Sequence, residues 1–193
     1  METIAIRGDE PAAQVTSLVS WLASVDAEGV TEKQRLDSVA ALEALKGAAA
    51  AAQARLTAAA VIDREALSED SRSVRADLAL ARRCSPSLAD QNVGVAKALV
   101  GEMPETMAAL TRGEISERRA MLMVRETACL SVEHRREVDK QLAPKLATMG
   151  DKKLAGAARR AGARLDAESL AARNRRAVAS RRMSVRAAAD GMA

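Results

Sequence analysis

A chain of 193 residues with one Trp, Trp21, and neither Phe nor Tyr lacks the side chains on which β-sandwiches and barrels usually lean. It equally lacks the ring faces on which single-strand-binding sheets stack bases. Hydrophobic residues still make up 48% of the chain and charged residues 29%, so a globular core is within reach. What remains is a long-helix protein rich in Ala, Leu, Arg and Glu, and an all-α fold is expected. No apolar run reaches bilayer-spanning length, and Met1 to Glu10 lack the basic start and apolar stretch of a signal peptide. A cytoplasmic protein without membrane association is therefore expected. Cys84 and Cys129 stand far apart with no CxxC spacing, so neither zinc nor a structural disulfide is anticipated.

The net charge of +4 hides an asymmetry. Residues 1–149 carry 19 basic and 22 acidic side chains, whereas residues 150–193 carry 11 basic and 4 acidic, a net of +7. Such a segment suits a polyanionic partner; an Arg-rich helix face is also ordinary solvated surface.

Helix signals recur along the chain. Pro11 suits a first helical turn that Asp9 or Glu10 can cap, and Val15, Leu18, Leu22 and Val25 mark one face, with Trp21 beside it and Gly29 as the stop. Thr31 and Gln34 form a capping box for a second helix running to about Leu67. Within it Leu42, Leu45, Ala49, Ala52, Leu56 and Ala59 follow 3, 4, 3, 4, 3 spacing, a heptad-like seam. That seam can close an intramolecular hairpin with the first helix or pair two chains as a homodimer; both readings stand.

Shorter, sharply punctuated elements follow. Ser85 and Pro86 cap one helix, Pro104 opens another that Gly113 can close in the left-handed conformation, and Ser116, Ser131 and Asp151 cap three more. Pro144 ends the helix begun at Ser131, and Asp166 restarts a last, Arg-heavy one. Arg182 to Arg186 then alternate polar and apolar as a half-buried strand does, and Asp190-Gly191 is a hairpin-turn dipeptide with almost no chain after it. The expected organisation is a two-helix N-terminal arm over 1–67, a compact multi-helix domain over 68–149, and a basic helical segment over 150–193 ending in one orphan strand of an incomplete hairpin.

The stretch from Ser71 onward carries RRCSPS around Ser85 and Pro86, ALVGEMPETMAAL from Ala98 to Leu110, and GEISERRA from Gly113 to Ala120. VRETACLS runs from Val124 to Ser131, VDKQL from Val138 to Leu142, and ARNRRAVASRRMSV with a closing DGMA completes the set. In these motifs the chain resembles the actinobacterial 13E12-repeat family, defined by a domain of unknown function often followed by an HNH endonuclease module. The resemblance implies a C-terminally truncated member without that module, and a family Trp is replaced here by Arg118. With His134 as the one histidine, HNH metal chemistry has no ligand set, so no enzyme activity, metal or cofactor is expected of this chain.

Candidate contacts come from two places. The helix ending at Arg83, the Cys84-Ser85-Pro86 connection and the helix from Ser87 have helix-turn-helix proportions. On that reading Ser87, Gln91 and Asn92 reach base edges, while Arg82, Arg83 and Lys97 reach phosphates; Asp90 opposes it by repelling phosphate. In the basic tail Arg173, Arg175, Arg176, Arg181, Arg182 and Arg186 supply further phosphate contacts to duplex DNA, or an interface to protein. Arg125 and Glu126 are expected to form a structural ion pair, with the Arg buried against a neighbouring helix, and His134 to lie exposed beside Glu133 and Glu137. The expected function is a non-catalytic DNA-associated helical module, the N-terminal part of an HNH-endonuclease-like protein. The rival is a helical assembly domain that uses the Leu42 to Ala59 seam and touches protein alone. No small-molecule substrate is anticipated on either reading.

Overall fold

A computed structural model of the chain describes residues 11–66 and 71–180. All regular elements among them are helical: α1 (Pro11–Ala23), α2 (Glu32–Ala66), α3 (Ser71–Ala81), α4 (Pro86–Glu102), α5 (Pro104–Thr111), α6 (Glu117–Thr127) and α7 (Val132–Leu142). A single 3-10 turn (Ala143–Lys145) leads on to α8 (Asp151–Leu165) and α9 (Ala167–Ala179). The all-α expectation therefore holds for this part of the chain. The strand expected over Arg182 to Arg186, the Asp190-Gly191 turn and the Asp9 or Glu10 cap lie outside the described residues.

Local chemistry fixes most helix starts. The Thr31 backbone N–H donates to Gln34 Oε1 at 2.8 Å and the Gln34 N–H returns a bond to Thr31 Oγ1 at 3.3 Å, a reciprocal capping box. Ser85, Ser116 and Ser131 each sit in extended backbone and accept from the N–H three residues on, those of Leu88, Arg119 and His134. Gly113 has φ +70, the left-handed closure expected after α5. Two boundaries differ from expectation. Gly150, not Asp151, is the cap residue of α8, because the Asp151 carboxylate is drawn sideways to the Arg119 guanidinium. And α1 stops at Ala23, well before Gly29.

The chain divides into two units, residues 1–40 and 41–193. In the first, α1 buries none of its residues, and Val15, Val19 and Trp21 are all exposed, the indole by 61%. Thr16, Ser17 and Ser20 donate their hydroxyls to carbonyls one turn earlier, satisfying themselves within the helix. The Arg35 guanidinium donates to the Ala27 carbonyl and ties down the connection into α2.

The second unit holds the core. Met103, Leu110, Met123, Leu146, Leu154 and Val138 are fully enclosed, filled in by Ala from α2, α4, α5, α6 and α8. Helix α2 enters this core with Gly47, Ala50, Ala51, Ala54, Ala58 and Val61, a buried stripe at helical spacing. Its closest approach is backbone on backbone: a Cβ on Gly47 would stand 2.7 Å from the Ile115 carbonyl oxygen, and one on Gly113 would stand 2.5 Å from that of Ala44. This corrects two expectations. The second half of α2 is core, so residues 1–67 do not form a separate two-helix arm. The heptad seam also faces the other way: Leu42, Ala49, Leu56 and Ala59 are exposed, and Leu45 and Ala52 half-buried. Both faces of α2 are apolar, and the small one is buried because only Gly and Ala let the helix axis come this near to the α5–α6 turn.

Candidate nucleic-acid interface

Helices α3 and α4 pack against one another across the Arg82 to Ser85 turn. The turn closes by two bonds, Arg83 N–H to the Leu80 carbonyl and Cys84 N–H to that of Ala79, both 3.0 Å. This closure places Arg83 at φ +51, a left-handed position that favours glycine and is here filled by an exposed arginine. Pro86 then occupies the first turn of α4.

The three base-contact candidates separate. Ser87 and Gln91, one turn apart, are exposed on the same face of α4. Asn92 turns inward and lines a hollow of about 20 Å³ beside Arg82, Ala50 and Ala54. The phosphate candidates separate too. Arg83 is exposed, whereas Arg82 reaches Glu117 on α6 at 3.4 Å and Lys97 reaches Glu65 on α2 at 2.7 Å. Both bonds cross between helices, so these cations are held as clamps on the unit's surface. The Asp90 carboxylate, the feature that opposed a DNA contact, accepts from Arg75 at 3.2 Å and is partly neutralised there.

Gln91 opens onto a groove of about 860 Å³ between α4 and α6. Its floor is apolar, with Val95, Met121 and Leu122, and its far rim carries Arg118 and Arg125. Arg118, standing where the resemblance implies a Trp, is 86% exposed and 3.8 Å from Asp151.

The expected Arg125–Glu126 pair exists at 3.2 Å, with burial reversed: Glu126 is enclosed and Arg125 lies at the surface. The contact from a neighbouring helix comes from Arg159 on α8, at 2.7 Å from the Glu126 carboxylate. That carboxylate raises the pKa of Arg159, through the hydrogen bond first and charge second. A buried carboxylate held by two exposed guanidiniums fixes the α6–α8 register while leaving each cation in contact with water. His134 is half-buried, not fully exposed, with Nδ1 shielded from water and 3.8 Å from Asp166.

Sequence reasoning missed the most enclosed charge. Asp139 on α7 is fully buried and accepts from the backbone N–H groups of Glu105 at 2.8 Å and Thr106 at 3.1 Å, as well as from the Thr106 hydroxyl. It caps α5 from another helix, supplying what Met103, the residue at the cap position, cannot. Burial pushes its carboxyl above the ordinary Asp range against the pull of these bonds. Arg119 was missed as well; it donates to Asp151 and to the carbonyls of Leu146 and Ala147, joining α6 to the start of α8. Arg135, on α7, pairs with Glu102 and Arg136 donates to the Gly101 carbonyl, closing the end of α4. The one available signal was position: Asp139 and Arg119 both fall inside the VDKQL and GEISERRA motifs.

Of the tail arginines, Arg175 and Arg176 are exposed near the end of α9, and Arg173 belongs to the same helix. Arg181, Arg182 and Arg186 lie outside the described residues. Among the described residues no group of three or more His, Cys, Asp or Glu side chains could hold a metal ion, and no helix is long and apolar enough to cross a membrane.

Residues 35–193 match the family described as Domain of unknown function (DUF222). The chain belongs to this family. No curated protein and no solved structure matches it. The matched stretch begins within α2 and takes in every helix that carries a candidate contact.

Proposed function

We propose that this chain is a non-catalytic, DNA-associated helical module and corresponds to the N-terminal part of an HNH-endonuclease-like protein of the 13E12-repeat type. The observation that carries the reading is the α3–α4 pair, whose second helix offers Ser87 and Gln91 to solvent beside a turn where Arg83 holds a left-handed position. An arginine kept where glycine fits better is a sign of a contact made by its side chain. Gln91 is suited to adenine and Arg83 to phosphate, with Arg118 and Arg125 across the groove as further cations. Asn92, Arg82 and Lys97 leave this contact set, since each is turned to the protein. The link to an HNH nuclease rests on the family resemblance, and the working compartment is the cytoplasm. Fluorescence anisotropy of a labelled duplex titrated with the full chain at two salt concentrations tests the reading. Binding that weakens steeply with salt is expected, and no binding at low salt overturns it.

A second reading is favoured by a separate observation, the outward Leu42, Leu56 and Ala59 face of α2. On this reading two chains pair along the seam and the module is an assembly domain. Light scattering on the Leu45→Glu, Leu56→Glu double variant decides it: a halved mass supports pairing, an unchanged mass removes it.

A further inference from the structure

In the second unit, α8 shows a second kind of basic surface. It buries Leu154, Ala155, Ala158, Ala161 and Gly162, and its opposite side is cationic. Those cations fall on two flanks. Arg159 lies on one and is engaged by Glu126. Lys153, Arg160 and Arg164, at spacings of seven and four, line up along the other, over roughly 16 Å at the rise of an α-helix.

That second flank borders a cleft of about 150 Å³ between α7 and α8. The cleft exists because Ala157 and Ala161 put only methyl groups into it, and Lys145, from the 3-10 turn, stands with Arg160 and Arg164 around its lining. No carboxylate lines it; Glu137, one turn before Gln141 on α7, accepts from the Gln141 amide at 2.8 Å. The contrast with the paired arginines of the unit is the informative part. Arg82, Arg119, Arg125, Arg135 and Arg159 each reach a carboxylate, whereas none of Lys145, Arg160 and Arg164 does among the described residues. Three cations gathered around one concavity repel each other until an anion is shared between them. The space is smaller than pockets that enclose whole small molecules, which run from about 300 Å³ upward, so it suits one charged group of an extended ligand. Guanidiniums favour the paired oxygens of a phosphate, and Lys153 continues the line beyond the cleft.

We infer that the cleft formed by Lys145, Arg160 and Arg164 seats a backbone phosphate of duplex DNA, with Lys153 on the next turns of the same strand contact. This deepens the DNA reading and rests on it: α8 supplies sequence-independent grip, and the α3–α4 pair supplies whatever base preference there is.

The test is a salt series of anisotropy titrations on a labelled duplex with three full-length proteins: wild type, K145Q/R160Q/R164Q, and the charge-matched control K33Q/K46Q/R112Q. The control residues sit in exposed ion pairs elsewhere. The cleft variant is expected to lower the slope of log affinity against log salt by about 1, the loss of the one phosphate the cleft seats, and R164Q alone by no more than that, while the control leaves it near wild type. Wild-type binding with an unchanged slope in the cleft variant, or an equal fall in the control, overturns the cleft and leaves the DNA reading standing. Absence of wild-type binding at low salt overturns both. Because all three cleft side chains are exposed and carry no ion pair among the described residues, the triple variant is expected to keep the wild-type far-ultraviolet circular dichroism, and R164Q serves if it does not.

Discussion

The two faces of α2 have nearly the same polarity and opposite fates. One face, Gly47, Ala50, Ala51, Ala54 and Ala58, is enclosed; the other, Leu42, Ala49, Leu56 and Ala59, meets water. Ranking side chains by hydrophobicity selects the wrong face, because burying a Leu stabilises more than burying an Ala. The winning face is chosen by distance. Where a helix backbone comes within reach of the Gly113 turn, no side chain larger than a methyl fits, and many short van der Waals contacts replace a few large side chains.

The sharpest way to break this arrangement is to add volume to the inner face. Gly47→Val drives its side chain into the Ile115 carbonyl, and a loss of about 3 kcal/mol or more is expected in urea denaturation followed by circular dichroism. Gly113→Ala combines a left-handed backbone with a Cβ placed against Ala44, for an expected loss of about 2–3 kcal/mol. Asp139 shows a different way to let two helices meet, by a charge that caps α5 across the gap. Asp139→Ala leaves the Glu105 and Thr106 donors without their acceptor and is expected to cost about 2 kcal/mol.

The titration of Asp139 sharpens the point. Its folded pKa is raised above the ordinary value of 3.8 mainly by burial. Between that value and the raised one, the folded chain keeps a proton that the unfolded chain has lost. This contribution to stability is thus full below 3.8 and falls as pH rises through the window. Asp139→Asn removes that slope, which denaturation midpoints at a series of pH values would read. At the small end, Leu56→Glu on the outer face is expected to change the stability of the single chain by under about 0.5 kcal/mol. Arg83→Gly, relieving the left-handed position, is expected to stabilise by up to about 1 kcal/mol while weakening DNA binding.

Features set by neighbours in sequence were legible. The Thr31–Gln34 box, the caps at Ser85, Ser116 and Ser131, and the left-handed Gly113 all follow from side chains reaching three residues along the chain. Features set across the fold were not. The Asp139 cap spans 34 positions to Glu105, the Arg159 bond to Glu126 spans 33, and the inward turn of α2 depends on a glycine in another element. The same divide runs through the candidate contacts. Ser87, Gln91 and Arg83 are exposed because of their place on a local helix-turn-helix, whereas Arg82, Lys97 and Asn92 are withdrawn by partners that only the fold supplies. The α8 cations were counted in the basic segment, but their grouping with Lys145 needed the packing of α7 on α8.

The scarcity of rings has an optical consequence. The indole of Trp21 already stands mostly in water in the folded protein, and no Phe or Tyr lies anywhere else. Intrinsic emission and near-ultraviolet signals are therefore nearly blind to whether the Ala and Met core is assembled. A Trp introduced at Leu122, a partly buried position on α6 packed against that core, would give it a reporter of its own.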